Sequence, residues 1–178
     1  MIFVRDAETG DYEAIAQLHT LSYRNTYRGI LSEDFLAHHV DDERRRMWQE
    51  RQAEHGFETR LLRVAVDDDR VVGFVCVFLD DDERWGALLD NLHIHPSFQG
   101  RGLGRDLLTQ AAAWVADRRP GSPMYLWVYE ANHAAHGFYG GLGGVVAERT
   151  LNHAADGNDV PAVRYVWEDL STLTGMRS

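Results

Sequence analysis

The residues best suited to do chemistry form a glycine-rich turn at positions 99–105, between an apolar stretch that ends in a proline and a predicted helix. Three glycines and two arginines occupy it: Gly100, Arg101, Gly102, Gly104 and Arg105. The first N–H groups of a helix have no partner within the helix and lie at the positive end of its dipole. Glycines let an anion approach the backbone without a Cβ in the way. The turn therefore predicts a phosphate or diphosphate site.

The spacing of the glycines distinguishes between known phosphate loops. The P-loop requires a Gly-Lys pair, which the chain does not contain. The dinucleotide fingerprint requires a glycine or alanine three positions after its second glycine, where this chain has Arg105 or Leu107. The remaining pattern, Gln99-x-x-Gly102-x-Gly104, resembles the acetyl-coenzyme A (acetyl-CoA) loop of the GNAT family of N-acetyltransferases. An ordinary glycine turn is the structural alternative.

The resemblance implies acetyl-CoA as cosubstrate and a set of residues that hold it. From the loop these are Gln99, Gly100, Arg101, Gly102, Leu103, Gly104 and Arg105. In the family an asparagine after the next strand helps to hold the cofactor, which here is Asn132; a plain helix N-cap is the alternative. Main-chain N–H groups on the strand before the loop polarise the thioester where neighbouring strands separate. Those positions are Leu92, His93 and Ile94.

Tyr139 matches a family tyrosine that protonates the leaving thiolate, in the pattern Phe138-Tyr139-x-x-x-Gly143. A phenol with a pKa of about 10 can protonate a thiolate whose conjugate acid has a pKa of about 8.5. Tyr139 lies seven residues after Asn132, which is about two helical turns, so both side chains are expected on one face. Ring packing without proton transfer is the alternative.

The base that takes the amine proton is the least defined part of the predicted site. Many family members carry a glutamate at the position of Leu88, and leucine cannot accept a proton. Asp90 is two residues further along the strand, and we expect it on the same face, beside Leu88 and Leu92. Because an apolar setting raises the pKa of a carboxyl group, we predict Asp90 as the base. A salt bridge or turn hydrogen bond at Asp90 and a water chain are alternatives, and His93 is expected to face the other way.

Residues 27–36 resemble the Y-x-G-I-L-x-x-x-x-L signature of a bacterial subgroup of these enzymes. In that subgroup the segment forms a wall of the acceptor pocket. The resemblance therefore makes Tyr27 and Glu33 candidate substrate-binding residues. The apolar residues of the segment are expected in the core: Ile30, Leu31, Phe35 and Leu36.

The elements that must position these residues form one predicted domain, residues 1–169, followed by a frayed tail at 170–178. Strands are predicted at 2–5, 60–67, 70–79, 87–95, 124–129, 144–151 and 161–168. Helices are predicted from Thr9 or Asp11 to about 23, at 102–118 and at 132–139, with short helices beginning at Ser32 and Asp41 and a solvated acidic turn at 80–84. This order predicts an α/β (α+β) fold with one mixed, mostly antiparallel sheet of six to seven strands and helices on both faces. The GNAT fold has the same order, so the resemblance covers about residues 2–168.

Composition and charge limit the partners. With 28 acidic and 18 basic residues the net charge is −10, which argues against nucleic acid and mildly favours a cationic acceptor such as an amine. The sequence contains no apolar run of 18 residues, so no transmembrane helix is predicted. Cys76 is the only cysteine, so a disulfide within the chain is excluded and a reducing, cytoplasmic location is expected. The nine histidines show no zinc-ligand spacing, so no metal is predicted.

These features predict an acetyl-CoA-dependent N-acetyltransferase in which a small primary amine attacks directly in a ternary complex. A non-catalytic acyl-CoA-binding or sensing domain is one alternative, favoured by the leucine at position 88. An enzyme that acetylates a protein N-terminus or a lysine is another. Dimers are common in the family, so a homodimer is an expected assembly.

Overall fold

The computed structural model of the protein describes residues 1–54 and 58–175. A seven-stranded sheet with the order β1-β2-β3-β4-β5-β7-β6 forms its centre. The strands are β1 (Phe3–Asp6), β2 (Arg60–Asp67), β3 (Arg70–Asp82), β4 (Gly86–Ile94), β5 (Met124–Tyr129), β6 (Val145–His153) and β7 (Asp159–Trp167). All neighbouring strands are antiparallel except β4 and β5. The predicted mixed, mostly antiparallel sheet is confirmed.

Helices cover both faces of the sheet, as predicted. Those in the described residues are α1 (Tyr12–Thr26), α2 (Val40–Ala53), α3 (Leu103–Arg118), α4 (His133–Gly141) and α5 (Ser171–Thr174). On one face Ile15 of α1 and Trp48 of α2 pack against Phe74 of β3. On the other, Leu107 of α3 packs against Val75 of β3. The side chains of β3 alternate between the two cores because successive residues of a strand point to opposite faces.

Residues 32–53 differ from the two separate short helices predicted there. A π-helix, Phe35–His39, runs directly into α2. The main-chain N–H of Val40 donates to the carbonyl of Phe35, five residues back, which is the hydrogen bond of a π turn. The side chains of Phe35 and Val40 are buried in one small core with Leu31 and Val160. A single π turn thus joins the two segments into one continuous helix and leaves Phe35 and Val40 in the same core.

Two further segments are more ordered than the sequence predicts. β3 extends to Asp82, so the acidic turn expected at 80–84 is largely part of the sheet. Asp82 closes the turn by accepting hydrogen bonds from the N–H groups of Arg84 and Trp85, at 2.8 Å and 2.9 Å. The expected frayed tail begins with Leu170, which is buried in the α3 core, and continues into the short α5.

Within residues 1–54 and 58–175, no helix is both long and apolar enough to cross a membrane.

Candidate active site

The turn between β4 and α3 places a row of main-chain donors at the surface. Gly100 and Gly102 have φ angles of +72° and +83°, a left-handed conformation that favours glycine. Gly102 is the N-cap of α3. The N–H groups of residues 100–105 donate no hydrogen bond to any group in the described part of the chain. Six donors at or just before the positive end of a sixteen-residue helix are therefore without a partner in the described residues, as an anion site requires.

Side chains around the turn complete this anion site. Arg101 and Arg105 are exposed, and neither forms an ion pair with a described residue. The guanidinium of Arg101 lies over the ring of Phe98, 5.2 Å from its centroid. The side-chain amide of Gln99 donates to the carbonyl of Ile94 at 3.1 Å, which ties the turn to the end of β4. Gln99 thus shapes the loop, while the arginines supply positive charge at its rim.

A cavity of about 460 Å³ lies against this turn. It is lined by Gln99, Gly100, Gly102, Leu103, Gly104 and Arg105 from the turn, by Leu92 and Ile94 from β4, and by Asn132 and Tyr139 from α4 and its cap. We call it the loop cavity. The structure therefore brings together nine of the predicted cofactor contacts and Tyr139; Arg101 lies beside the cavity and His93 lines the neighbouring ones.

The sheet opens next to the loop cavity. β4 and β5 are paired only at Ala87↔Met124 and Leu88↔Tyr125, so the rest of β4 has no strand partner on that side. Half of the N–H groups of a strand face each neighbour, so donors of β4 near Leu92 are directed at this opening. A cavity of about 160 Å³, the opening cavity, fills the gap and shares Asn132 and Tyr139 with the loop cavity.

A third cavity, of about 140 Å³, continues from the opening to the other face of the sheet. It shares four residues with the opening cavity: Tyr27, Asp90, His93 and Trp127. Tyr23, Tyr129 and Asn152 complete much of the remaining wall. Because most of its wall consists of rings, we call it the aromatic cavity. Because each cavity shares lining residues with the next, the three lie in a row from the glycine turn through the sheet, and we call this row the passage.

A β-bulge at Asp90 corrects the predicted orientation of β4. Leu89 pairs with Val77 and Asn91 with Cys76, so Asp90 has no partner on β3. A bulge places two successive side chains on the same side of the sheet. Asp90 and Asn91 accordingly both bind Arg51 of α2. The alternation of β4 is therefore shifted by one residue after position 90.

Two predictions about β4 are wrong because of this shift. Asp90 lies beside a cation: its Oδ2 is 2.6 Å from Nη2 of Arg51, whereas Leu92 packs into the α3 core on the other face. His93, expected to face away from Asp90, lines the opening and aromatic cavities together with it. The Oδ1 atom of Asp90 accepts no hydrogen bond from the described residues.

His93 and the neighbouring His19 are uncharged at neutral pH. Burial lowers the pKa of His93 to about 3, and burial also lowers the pKa of His19 well below its usual value. Their ring centroids are 4.5 Å apart. Nδ1 of His19 accepts the indole N–H of Trp48 at 3.0 Å, so the proton of His19 is on Nε2. The imidazole of His93 has no hydrogen-bond partner in the described part of the chain, so it is open to a ligand in the passage.

Tyr139 and Asn132 occupy the places predicted for them on α4. Oδ1 of Asn132 accepts the N–H of Ala135 at 3.3 Å, which confirms the N-cap and leaves the amide nitrogen for another partner. The hydroxyl of Tyr139 has no hydrogen-bond partner among the described residues, and its ring packs against Tyr165 and Trp167. Burial raises the pKa of Tyr139, so its phenol stays protonated at neutral pH.

Of the two residues predicted to bind the acceptor, Tyr27 lines a cavity and Glu33 does not. Tyr27 lines the opening and aromatic cavities, 5.1 Å from the ring of Tyr129. Glu33 is exposed and lines none of the three cavities. The N–H of Phe35 donates to Oγ of Ser32 at 3.3 Å, and this turn buries Leu31 and Phe35. Glu33, on the opposite side of the turn, therefore points to solvent.

The sequence analysis did not select six residues of the aromatic cavity: His19, Tyr23, Asn91, Trp127, Tyr129 and Asn152. One signal was present in the segment Tyr125-Leu-Trp127-Val-Tyr129, whose aromatic residues recur every second position and therefore share one face of β5. No cluster of three or more potential metal ligands occurs in the residues that the structure describes.

Comparisons with known proteins agree with this geometry. Residues 14–143 match the model of the Acetyltransferase (GNAT) family. The uncharacterized N-acetyltransferase YuaI of Bacillus subtilis (strain 168) is 29% identical over 176 residues, 97% of this chain and 96% of the relative. PaiA N-acetyltransferase from Thermoplasma acidophilum, solved in complex with coenzyme A, is 18% identical with a TM-score of 0.68, covering 91% of this chain and 98% of that one. YncA from Salmonella typhimurium, solved with acetyl-CoA, is 18% identical with a TM-score of 0.66, covering 94% and 93%. At these identities the two structures show a shared fold.

Proposed function

Because the chain belongs to the GNAT family of acetyltransferases, we propose that it transfers the acetyl group of acetyl-CoA to the primary amine of a small molecule. The observation that carries this proposal is the passage itself. It begins at six open main-chain donors, crosses the sheet where β4 and β5 separate, and ends in a cavity on the other face. Such a passage lets two substrates enter from opposite sides and meet in the middle.

The residues of the loop cavity fit coenzyme A. The N–H groups of residues 100–105 would bind the paired phosphates, with Arg101 and Arg105 adding charge at the rim. The open space at Gly100 and Gly102, where an added Cβ would meet no atom within 4 Å, allows close approach of the phosphates. The free side-chain amide of Asn132 would bind the pantetheine arm along the opening. When bound, acetyl-CoA supplies an activated acetyl thioester.

The transfer forms a C–N bond and breaks the C–S bond of the thioester. Main-chain N–H groups of Leu92 and Ile94, on the open side of β4, stabilise the negative charge that develops on the acetyl oxygen, because they are fixed in place before the reaction. The N–H of His93 lies on the opposite edge of the strand, toward β3, so it does not take part. Tyr139 donates its phenol proton to the departing sulfur and recovers a proton from solvent. Burial keeps the phenol protonated across the neutral range, but it also makes Tyr139 a weaker acid than a free phenol, so the transfer depends on the phenol being held against the sulfur as the C–S bond breaks.

The proton lost by the amine goes to Asp90 in this proposal. Asp90 lies where the opening and aromatic cavities meet, and its Oδ1 remains available because Arg51 binds the other oxygen. The ion pair keeps the carboxylate in one orientation, with Oδ1 toward the passage. Water in the passage can then carry the proton to solvent.

The test is an assay of acetyl-CoA with a panel of primary amines that follows thiol release and identifies the acetylated product by mass. We expect both products in equal amounts with at least one small amine. Coenzyme A binding without turnover on any amine would support the sensing alternative instead. Turnover only with peptides that carry a free N-terminus or a lysine would show that the acceptor is a protein and not a small molecule.

A further inference from the structure

The aromatic cavity indicates which amines the protein accepts; the inference rests on the function proposed above. Six rings line this cavity: His19, Tyr23, Tyr27, His93, Trp127 and Tyr129. Its other lining residues are Asp90, Asn91 and Asn152. We propose that the acceptor is a primary amine whose nitrogen is joined by a short chain to a flat, uncharged aromatic group.

The arrangement of the tyrosine rings suits an aromatic ligand. Tyr23 and Tyr27 have their centroids 4.7 Å apart with the rings inclined at 89°. Tyr27 and Tyr129 are 5.1 Å apart and inclined at 73°. Aromatic groups prefer such edge-to-face contacts, and each contact adds to the free energy gained by burying the ring. An aryl group placed in the cavity against the free edges of these rings would extend the same packing, while its aminoalkyl chain would reach back to the opening.

Charge in the cavity argues against a second ammonium group on the acceptor. Among the lining residues that the structure describes, Asp90 is the only carboxylate, and Arg51 already binds it at 2.6 Å. The lining histidines, His19 and His93, are neutral. A second ammonium buried here would therefore lose its hydration without gaining an unpaired counter-charge.

The rings themselves are poor sites for a further cation. The guanidinium carbon of Arg44 lies 4.6 Å from the centroid of Tyr23, and that of Arg164 lies 4.4 Å from the centroid of Trp127. Aromatic faces attract cations, but these two rings already hold one each. Each guanidinium is itself paired with a carboxylate, Arg44 with Glu43 and Arg164 with Glu148, so these ring faces are covered by complete ion pairs and offer no free site to another cation. The same rings can still pack against an uncharged aryl group along their free edges.

The decisive comparison uses three amines of similar reach: 2-phenylethylamine, n-butylamine and putrescine. Putrescine is butylamine with a second ammonium at the far end, so this pair isolates the effect of charge. We expect kcat/KM for phenylethylamine to exceed that for butylamine by about 10-fold or more, because only the aryl group fills the cavity. Putrescine should fall below butylamine. Equal values for the three amines, or putrescine ahead of phenylethylamine, would overturn the inference and leave the proposed function intact.

Variants of Tyr129 test whether the cavity causes the preference. Tyr129→Leu should reduce the ratio of phenylethylamine to butylamine by about 3- to 10-fold, since it removes one ring contact. Tyr129→Phe keeps the ring and should keep the ratio. Trp114→Leu, a half-buried residue of α3 that lines none of the three cavities, is the control for losing a large aromatic elsewhere. A ratio unchanged in Tyr129→Leu would refute the assignment. No turnover by wild type on any amine would instead refute the proposed function, and this inference with it.

Discussion

Replacing Gly102 by alanine separates the binding role of the glycine turn from its conformational role. Gly102 has a φ of +83°, and a Cβ there would project into open space in the loop cavity. A left-handed backbone costs a non-glycine residue about 1–2 kcal/mol, so Gly102→Ala should lower the free energy of unfolding by that amount. Gly121 offers a matched control, because it has a φ of +79°, is equally open and lies in the turn after α3. Gly121→Ala should lose similar stability.

Only the Gly102 variant should lose affinity for coenzyme A. A methyl group at the turn holds the phosphates away from the main-chain donors, and each charge-assisted hydrogen bond lost costs about 1.5–3 kcal/mol. One lost bond corresponds to a Kd increase of about 10- to 100-fold, since about 1.4 kcal/mol is tenfold. Calorimetric titration with coenzyme A measures affinity, and urea unfolding measures stability. Unchanged affinity in Gly102→Ala, or an equal loss in both variants, would refute the reasoning.

Three further predictions concern the chemical step. Tyr139→Phe should lower kcat by about 10- to 1000-fold with little change in coenzyme A affinity. Tyr165→Phe is the control and should leave kcat unchanged, because the Tyr165 hydroxyl binds His136 at 2.8 Å outside the passage. Equal kcat values in wild type and Tyr139→Phe would remove the acid role. Asp90→Asn should lower kcat/KM by about 100-fold while coenzyme A still binds, and a wild-type rate would assign the amine proton to water alone. Because the pKa of His93 lies near 3 and burial raises that of Tyr139, neither group titrates between about pH 5 and 9. The acidic limb of kcat/KM should therefore follow the pKa of the amine and move when an amine about two pKa units lower is used; a limb fixed near pH 6.5 for both amines would implicate a histidine.

The glycine turn was predictable because its information is local. Residues 99–105 contain the left-handed glycines, the start of the helix and the flanking arginines. The geometry of this segment depends little on distant parts of the chain. The same holds for Asn132, whose cap involves only the next turn of α4. These parts of the site could therefore be predicted from the sequence before the structure was known.

The environment of Asp90 was not predictable, since it depends on pairing with another strand. The bulge is defined by the pairing of β4 with β3, in which Leu89 lies opposite Val77 and Asn91 opposite Cys76. The sequence of β4 alone does not contain this register. Arg51, which binds Asp90, lies on α2, 39 residues earlier in the chain. The aromatic cavity has the same origin: the end of α1 brings Tyr27 against Tyr129 of β5, and sequence distance hides that contact.

The most direct test of the account is a crystal structure of the protein with coenzyme A bound. It should show the paired phosphates within hydrogen-bond distance of the N–H groups of residues 100–105, and the thiol at the opening of the sheet beside Tyr139. A cofactor bound elsewhere, or a glycine turn that stays empty at saturating coenzyme A, would contradict the proposed activity.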